Sequence, residues 1–190
     1  MSIPNKIIII TAPSGAGKTS ITRFLMKTFP QLAFSVSAAT REARGMEKDG
    51  VDYHFMSEKR FNEKVKNNEF VEWEMVYQGK YYGTLKTELE KIWSENKIPV
   101  LDIDVKGAIR VKEQYPDSTL TIFIDPPSVD VLKIRLESRG TESKEAIAAR
   151  VHKATSEIAF KDRFDKRIVN DQLQRACEEA EIIVKDFVEA

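Results

Sequence analysis

The sequence predicts an α/β fold, a three-layer sandwich with a parallel central sheet and helices on both faces. Three apolar runs rich in β-branched residues are typical of fully buried parallel strands: residues 6–11, 98–105 and 120–125. Segments with helical periodicity lie between these runs, and a Gly-rich turn connects the first strand directly to a helix. Strand–helix alternation of this kind is typical of a parallel sheet covered by helices.

The remaining regular elements follow from periodicity and from signals that end strands and helices. Pro126 and Pro127 end the third strand, and Gly140 ends the helix that follows it. In chain order, the other predictions are helices over residues 18–29 and 86–95, a helix from Val105, a helix to Ser138, a helix over residues 144–160, a strand over residues 167–169 and a helix from Asp171.

Residues 34–84 depart from this pattern. The region contains short alternating stretches, FSVSAATR, GVDYHFM and EFVEWEMVYQGKYYG, which are rich in aromatic residues and Gly turns. Alternation of this kind predicts a small mixed or antiparallel sheet, with one helix over residues 58–67. No repeat, low-complexity tract or flexible linker sets the region apart. We therefore expect an insertion within a single domain of residues 1–190.

The bulk composition argues against several classes of partner. The formal net charge is zero, which predicts no general attraction to nucleic acid or to anionic membranes. The single cysteine, Cys177, predicts a reducing cytoplasmic compartment, and its helical context indicates a packing role. No apolar run approaches the length of a membrane span. Residues 1–10 lead straight into the Gly-rich turn, which indicates a first strand and not a signal peptide.

The stretch IIIITAPSGAGKTS nearly matches a phosphate-binding loop, whose pattern is Gly, any four residues, Gly, Lys, then Ser or Thr. Glycines in such a loop let backbone N–H groups approach phosphate oxygens at the start of a helix. The Lys supplies a cation for the phosphates, and the Thr a hydroxyl for Mg²⁺. The predicted nucleotide-binding residues are Ala12, Pro13, Ser14, Gly15, Ala16, Gly17, Lys18, Thr19 and Ser20. The alternative is a chance Gly-rich turn.

Ala12 stands at the first position of this pattern, where the strict motif has Gly. An added methyl group is severely penalised only where the backbone φ angle is positive. The preceding strand and the following helix supply the context that a working loop requires. We therefore expect Ala12 to be a tolerated variant.

Two acidic residues end the second apolar run. Asp102 and Asp104 are two residues apart in LDID, so a strand through both would put their carboxylates on one face. An acid at the end of a central strand, beside a phosphate loop, is suited to holding hydrated Mg²⁺. The acidic pair is therefore a candidate metal site, together with the Thr19 hydroxyl. The alternative is a solvated strand end with no metal.

Two groups of arginines suggest two phosphorylated substrates. Arg135 and Arg139 are four apart on a predicted helix, and Arg150 follows beyond a polar stretch. These guanidiniums could stabilise charge on a transferring phosphoryl group, or could form surface salt bridges with neighbouring glutamates. Arg41 and Arg44 form a second pair whose guanidiniums match phosphate oxygens, unless they are solvated surface residues.

The chain resembles the guanylate kinase family. The resemblance runs from the loop near Ala12 to the IVND motif that ends at Asp171. Its specific parts are FSVS-x-x-TR-x-x-R, DY-x-F, NNEFVEW, YYGT, LDID-x-x-G, PPS, RL-x-x-RG and IVND, all in the family order. Each motif is weak alone, whereas the ordered set is specific.

The resemblance implies transfer of a phosphoryl group from ATP to GMP or dGMP, with Mg²⁺, and implies the role of each matching residue. Residues 34–84 would form the GMP-binding insertion, residues 126–150 a helical lid, and residues 1–33, 85–125 and 151–190 the core. ATP would be bound by the loop and by Arg135, Arg139, Arg150 and, beside the adenine, Asn170. GMP would be bound by Ser37, Arg41, Arg44, Glu47, Tyr53, Glu72, Tyr82, Thr84 and Asp104. The catalytic charges would come from Lys18, Arg41, Arg135, Arg139 and Arg150, and the metal would be held by Thr19 and, through water, by Asp102.

The base assignment also has a chemical reason. Guanine presents two neighbouring donors, N1–H and the 2-amino group, and the carboxylate of Glu72 can accept from both. Adenine has no such donor pair at that edge, so binding it would leave a buried carboxylate unpaired. The alternative for Glu72 is an exposed strand residue that shares a face with Glu74. The aromatic residues Phe70, Trp73 and Tyr77 are predicted to belong to the core.

Two other functions compete with this interpretation. A non-catalytic guanylate-kinase-like interaction module would share the fold, but such modules usually have eroded phosphate loops. A kinase for a different monophosphate is disfavoured by the combination of Ser37, Glu72 and Thr84. Ala12, Ala43 and Met46 depart from the usual family residues, and none removes a charge or hydroxyl that the chemistry needs. The expected partners are small nucleotides, and neither nucleic acid nor a membrane is expected to bind. The protein is expected to be a monomer or a homodimer.

Overall fold

The computed structural model describes residues 5–138, 140 and 143–190, apart from the Tyr77 side chain. The strands are β1 (Ile7–Thr11), β2 (Leu32–Phe34), β3 (Ala38–Ala39), β4 (His54–Phe55), β5 (Phe70–Tyr77), β6 (Lys80–Leu85), β7 (Ile98–Asp102), β8 (Thr119–Asp125) and β9 (Lys166–Val169). The helices are α1 (Lys18–Thr28), α2 (Glu58–Lys66), α3 (Lys86–Ser94), α4 (Val105–Gln114), α5 (Val129–Glu137), α6 (Lys144–Ile158) and α7 (Leu173–Glu189), with a 3₁₀ turn at Lys161–Arg163.

The chain divides into two compact units, which are described separately. The first unit comprises the described residues up to Ile7, together with Gln31–Leu101 and Lys106–Thr119. The second unit comprises Ile8–Pro30, Asp102–Val105 and the described residues from Leu120 onward.

A five-stranded sheet has the strand order β2-β7-β1-β8-β9. Leu32 of β2 is in parallel register with Ile98 of β7, and Ile124 of β8 is in parallel register with Ile168 of β9. Every residue of β1 and β8 is buried, as expected for strands that contribute side chains to both faces of a covered sheet. The α/β class and the three predicted central strands are confirmed.

The second predicted strand is shorter than its apolar run suggested. Residues 98–105 were expected to form one strand, but β7 ends at Asp102 and α4 begins at Val105. The period-two argument that put Asp102 and Asp104 on one strand face is therefore wrong, because Asp104 lies in the connection to α4. The sequence pattern also did not predict β2, which is only three residues long.

A separate four-stranded mixed sheet lies within the first unit, in the order β4-β3-β6-β5. β3 pairs in parallel with β4, and β6 is antiparallel to both β3 and β5. Phe61 of α2 packs into the core of this sheet, with its ring centroid 4.4 Å from that of Phe70. The mixed sheet and the single helix predicted for residues 34–84 are confirmed.

Local signals define several helix ends. α2 and α3 are each followed by an asparagine in the left-handed region, Asn68 with φ of 56° and Asn96 with φ of 55°. An asparagine tolerates this conformation better than most side chains and so ends a helix cleanly. The hydroxyls of Ser57, Ser128 and Ser143 accept backbone N–H bonds at the starts of α2, α5 and α6.

The second unit has a helical core of its own between α5 and α6. Leu132 and Leu136 of α5 pack against Ile147 and Ala154 of α6. Cys177 of α7 is buried, and burial raises the pKa of its thiol, which agrees with the predicted packing role. Across the described residues, the helices are all too short or too polar to cross a bilayer.

Candidate active site

The Gly-rich turn joins β1 to α1 in the second unit. Gly17 precedes α1 with φ of +97°, and its carbonyl accepts from the Ser20 N–H at 3.1 Å. Gly15 also has a positive φ, +96°, and the Ala16 N–H donates to the Pro13 carbonyl within the turn. The first N–H groups of α1 have no partner within the helix, so this end of α1 favours an anion.

Ala12 does not strain the loop. In the described part of the chain, the non-glycine residues with positive φ are Asn68 and Asn96, so Ala12 has an ordinary backbone conformation. The extra methyl group therefore carries no left-handed penalty. This agrees with the prediction that Ala12 is a tolerated variant.

Lys18 forms an ion pair with Asp102. Their side chains are 24% and 27% exposed, so water and ligands reach both groups. The Thr11 hydroxyl donates to the Ile103 carbonyl, which joins the end of β1 to the segment that carries Asp102 and Asp104. The loop lysine and the acid predicted to serve the metal are thus direct neighbours.

Glu157 is a further acid near this pair, and no sequence motif indicated it. Burial raises the pKa of this carboxyl on α6, and the nearby charge of Asp104 raises it further. The positive charges of Lys153 and Lys18 act in the opposite direction. A single glutamate within a helix carries no local signal, so only the fold could reveal this proximity.

Asn170 connects the phosphate loop to one of the predicted arginines. Its side-chain amide donates to the Ala16 carbonyl at 2.7 Å, and its own carbonyl accepts from Arg135 Nη2 at 3.0 Å. Arg150 Nη1 donates to the Ser14 hydroxyl at 2.8 Å. The second unit therefore places Arg150 against the loop and Arg135 against Asn170, whereas the predicted Arg139 lies outside the described residues.

Replacing Gly17 by alanine is expected to destabilise the fold by about 3 kcal/mol. The alanine would have to adopt φ of +97°, which is unfavourable for any residue with a side chain, and its methyl group would lie 2.2 Å from the Asn170 amide nitrogen. Gly79→Ala is a matched control, because Gly79 also has a positive φ but has open space around it. The control should cost about 1 kcal/mol in denaturant unfolding. Equal losses would show that the Asn170 contact contributes nothing.

The predicted phosphate-binding residues of the first unit form a second cluster. Arg41 donates to both carboxylate oxygens of Glu47, at 2.5 and 2.8 Å, and its guanidinium lies over the Tyr53 ring at 4.7 Å. The rings of Tyr53 and Tyr82 are 6.0 Å apart, edge to face. Arg44 joins the cluster through its backbone N–H, which donates to Glu47. Pairing with Arg41 lowers the pKa of Glu47 to about 2 and raises that of Arg41.

The ion pair should make stability depend on pH in an acidic window. Glu47 has a folded-state pKa of about 2 against an ordinary value of 4.5, so the unfolded chain binds its proton first as the pH falls. Its stabilising contribution should be complete above pH 4.5 and lost as the pH falls toward 2. The gap in melting temperature between wild type and Glu47→Gln should therefore narrow across that window. A gap that stays constant would contradict this role.

The predicted base-reading residues include a buried pair. Glu72 of β5 and Thr84 of β6 are cross-strand partners, 5% and 0% exposed, and the Thr84 hydroxyl donates to Glu72 at 2.8 Å. The alternative interpretation of Glu72 as an exposed strand residue is therefore wrong. The third predicted reader, Ser37, accepts the His54 N–H through its carbonyl at 2.9 Å.

Neighbouring residues of β5 are held by side chains of α4. Arg110 donates to the Trp73 carbonyl at 2.6 Å and pairs with Glu74 at 2.7 Å. Gln114 donates to the Val71 carbonyl at 2.7 Å. The carbonyls on both sides of Glu72 are thus fastened to one helix, which no local pattern could indicate.

The aromatic predictions had mixed outcomes. Phe70 is buried in the mixed-sheet core, as expected. Trp73 is 39% exposed, so its assignment to the core is wrong, although its ring is 6.5 Å from that of Phe61. Its place on the last strand of the mixed sheet leaves one side open.

Known proteins of one family are similar to this chain in sequence and in fold. The model of the guanylate kinase family matches residues 4–187. The chain is 47% identical over 184 residues to the guanylate kinase of Porphyromonas gingivalis, which covers 96% of this chain and 98% of that protein. It is 44% identical over 183 residues to the guanylate kinase of Bacteroides fragilis, covering 96% and 90%.

A solved structure agrees with these sequence relatives. The crystal structure of guanylate kinase from Anaplasma phagocytophilum matches with a TM-score of 0.76 and 28% identity, over 95% of this chain and 85% of that one. The residues matched by the family model include the phosphate loop, the buried Glu72–Thr84 pair and both groups of arginines, Arg41 with Arg44 and Arg135 with Arg139 and Arg150. The chain belongs to the guanylate kinase family of kinase enzymes.

Proposed function

We propose that this protein transfers the γ-phosphoryl group of ATP to the phosphate of GMP or dGMP, forming ADP and GDP or dGDP. The observation that carries the proposal is the buried Glu72–Thr84 pair, because a phosphate loop alone indicates a nucleotide but not the acceptor. Family membership supports the same reaction.

ATP binds at the loop of the second unit. Its β- and γ-phosphates accept bonds from the backbone N–H groups at the start of α1, and Lys18 leaves Asp102 to meet them. Arg135 and Arg150 already contact Asn170 and the loop, so a short side-chain movement brings them to the phosphates. We assign Arg139 to the same group from its motif alone.

The residues around Lys18 suit Mg²⁺ that is held mainly by the nucleotide. Among the described residues, no three His, Cys, Asp or Glu side chains gather as a cluster that could hold a metal. Mg²⁺ in kinases typically has one or two protein ligands and completes its shell with phosphate oxygens and water. The Thr19 hydroxyl and, through water, Asp102 are the residues that would hold it. When bound, it would neutralise charge on the β- and γ-phosphates.

GMP binds at the first unit's cluster. Arg41, Arg44, Tyr53 and Tyr82 bind its phosphate, and Glu47 holds Arg41 in place until the phosphate arrives. The guanine N1–H and 2-amino group donate to the Glu72 carboxylate, with Ser37 and Thr84 completing the polar contacts. Asp104 serves the same substrate. A substrate without the donor pair would place no donors from the base against the buried Glu72 carboxylate, which is costly.

The transfer is direct and in line. The attacking group is a GMP phosphate oxygen, which is ionised at neutral pH and needs no base. It forms a bond to the γ-phosphorus while the bond to the bridging β–γ oxygen breaks, and that oxygen leaves on ADP. Lys18, Arg41, Arg135, Arg139 and Arg150 stabilise the charge on the equatorial oxygens.

The proposed function also assigns a role to each segment of the chain and a cellular compartment to the enzyme. Residues 34–84 act as the GMP-binding insertion, residues 126–150 as the lid, and residues 1–33, 85–125 and 151–190 as the core. The GMP-binding set other than Asp104 lies in the first unit, and the loop with its arginines lies in the second. The single buried cysteine supports a cytoplasmic enzyme that acts on small nucleotides, as a monomer or homodimer.

An acceptor panel tests the proposed function. ADP release from ATP would be measured with GMP, dGMP, AMP, CMP and UMP, each with and without Mg²⁺. Turnover is expected with GMP and dGMP alone, and only when Mg²⁺ is present. Turnover with AMP or CMP at a comparable rate would refute the role of Glu72. Binding of GMP without turnover of any acceptor would favour the non-catalytic interaction module.

A further inference from the structure

Glu88 is a buried carboxylate that the proposed mechanism does not use. It lies in the first turn of α3, the helix that directly follows β6, and is 7% exposed. A buried carboxylate is costly unless it is paired and hydrogen-bonded, so its contacts identify the groups that stabilise it. The start of a helix favours a negative charge at this position.

The Glu88 carboxylate contacts two separate segments of the first unit. One oxygen accepts the backbone N–H of Val36 at 3.3 Å. The other oxygen lies 3.2 Å from His54 Nε2. The two segments are also joined to each other, because the His54 N–H donates to the Ser37 carbonyl at 2.9 Å.

These segments carry residues that the proposed function assigns to GMP. Ser37, a proposed base reader, follows Val36, and Tyr53, a proposed phosphate ligand, precedes His54. Thr84 and Tyr82 lie on β6, which runs into the helix that bears Glu88. One carboxylate therefore joins three chain segments that carry proposed GMP ligands: the two segments that it contacts, and β6, which leads into its own helix.

We infer that Glu88 is a positioning residue for GMP, which acts through Val36 and His54 and does not touch the substrate. The inference rests on the proposed function, because it takes Ser37 and Tyr53 as GMP ligands. Without the carboxylate, the Val36 N–H loses its acceptor, and the segments that carry Ser37 and Tyr53 lose their common support. Small displacements of binding groups are sufficient to weaken the binding of a substrate strongly.

The test compares three variants of the full chain. Glu88→Ala removes both contacts and is expected to raise the KM for GMP about tenfold, with kcat and the KM for ATP within about twofold of wild type. Glu88→Gln should restore most of the loss, because its amide oxygen accepts from Val36 N–H and its amide nitrogen can donate to unprotonated His54. Glu90→Ala is the matched control, because Glu90 lies on the same helix and is exposed.

The readouts separate positioning from general stability. A merely structural role would raise both KM values together, and no rescue by Gln would accompany it. Either of those results, or an unchanged KM for GMP, would overturn the inference. GMP affinity measured by calorimetry serves as a second readout. If wild type binds GMP without turning it over, the proposed function fails, while a tenfold weaker GMP affinity in Glu88→Ala would still uphold the positioning role.

Discussion

Replacing Lys18 by methionine is expected to lower kcat about a thousandfold. Methionine keeps most of the length of the side chain but removes the charge that neutralises the transferring phosphoryl group, and such charges are worth about 10²–10³ in rate or more. Asp102 would lose its ion-pair partner, but its side chain is 27% exposed and would be hydrated. The fold should therefore survive, with an unchanged circular dichroism spectrum. Steady-state turnover with saturating ATP and GMP measures the effect.

Lys27→Met is the matched control for this prediction. Lys27 lies in the last turn of the same helix and is exposed, so it is far along α1 from the loop. Its replacement should leave kcat within about twofold of wild type. If Lys18→Met retained more than a tenth of wild-type turnover, Lys18 would not be a principal source of charge stabilisation.

Replacing Glu72 by glutamine is expected to lower kcat/KM for GMP about a hundredfold. Glutamine offers guanine one acceptor and sets an N–H₂ donor against a guanine donor, a mismatch within a buried site. The glutamine oxygen can still accept from the Thr84 hydroxyl, so the pair that joins β5 to β6 is preserved. The affinity for ATP should not change, because ATP is assigned to the second unit.

Glu74→Gln is the control on the same strand. Glu74 lies two residues along β5 and forms its ion pair with Arg110, a side chain that is 46% exposed. Exposed ion pairs contribute little, so this variant should lose less than about threefold in kcat/KM for GMP. Equal losses for GMP and ATP in Glu72→Gln would show that the base-reading site is elsewhere.

The parts of the fold that could be predicted are those with a strong local signal. Completely buried strands such as β1 and β8 appear in the sequence as unbroken β-branched runs. β2 has only three residues and owes its place to parallel pairing with β7, a long-range contact that no local pattern encodes. The apolar run over residues 98–105 predicted too long a strand. Ile103 and Val105 lie beyond the end of β7 but are buried, so the apolar pattern continues past the strand.

The residues of the candidate site also differ in whether a local sequence signal identifies them. The phosphate loop has a motif because its chemistry demands fixed residues at fixed spacing, and Lys18 could therefore be identified directly. Glu72 could be identified only through family resemblance, because its burial depends on pairing with β6. Glu88 and Glu157 carry no motif at all. Glu88 contacts His54, 34 positions away, and the charges of Asp104 and Lys18 that act on Glu157 are also distant in sequence, so only the folded chain reveals these neighbours.

A single-turnover experiment with ATP that carries a radioactive γ-phosphate tests the central claim most directly. Enzyme in excess over ATP would be mixed with GMP and Mg²⁺, quenched at short times, and separated into nucleotides and protein. Direct transfer predicts that the label passes from ATP to GDP in one phase. It also predicts that no label is found on the protein, with or without GMP. Labelled protein that forms without GMP and then passes its label to GMP would contradict direct transfer, and label found only in inorganic phosphate would contradict the proposed acceptor.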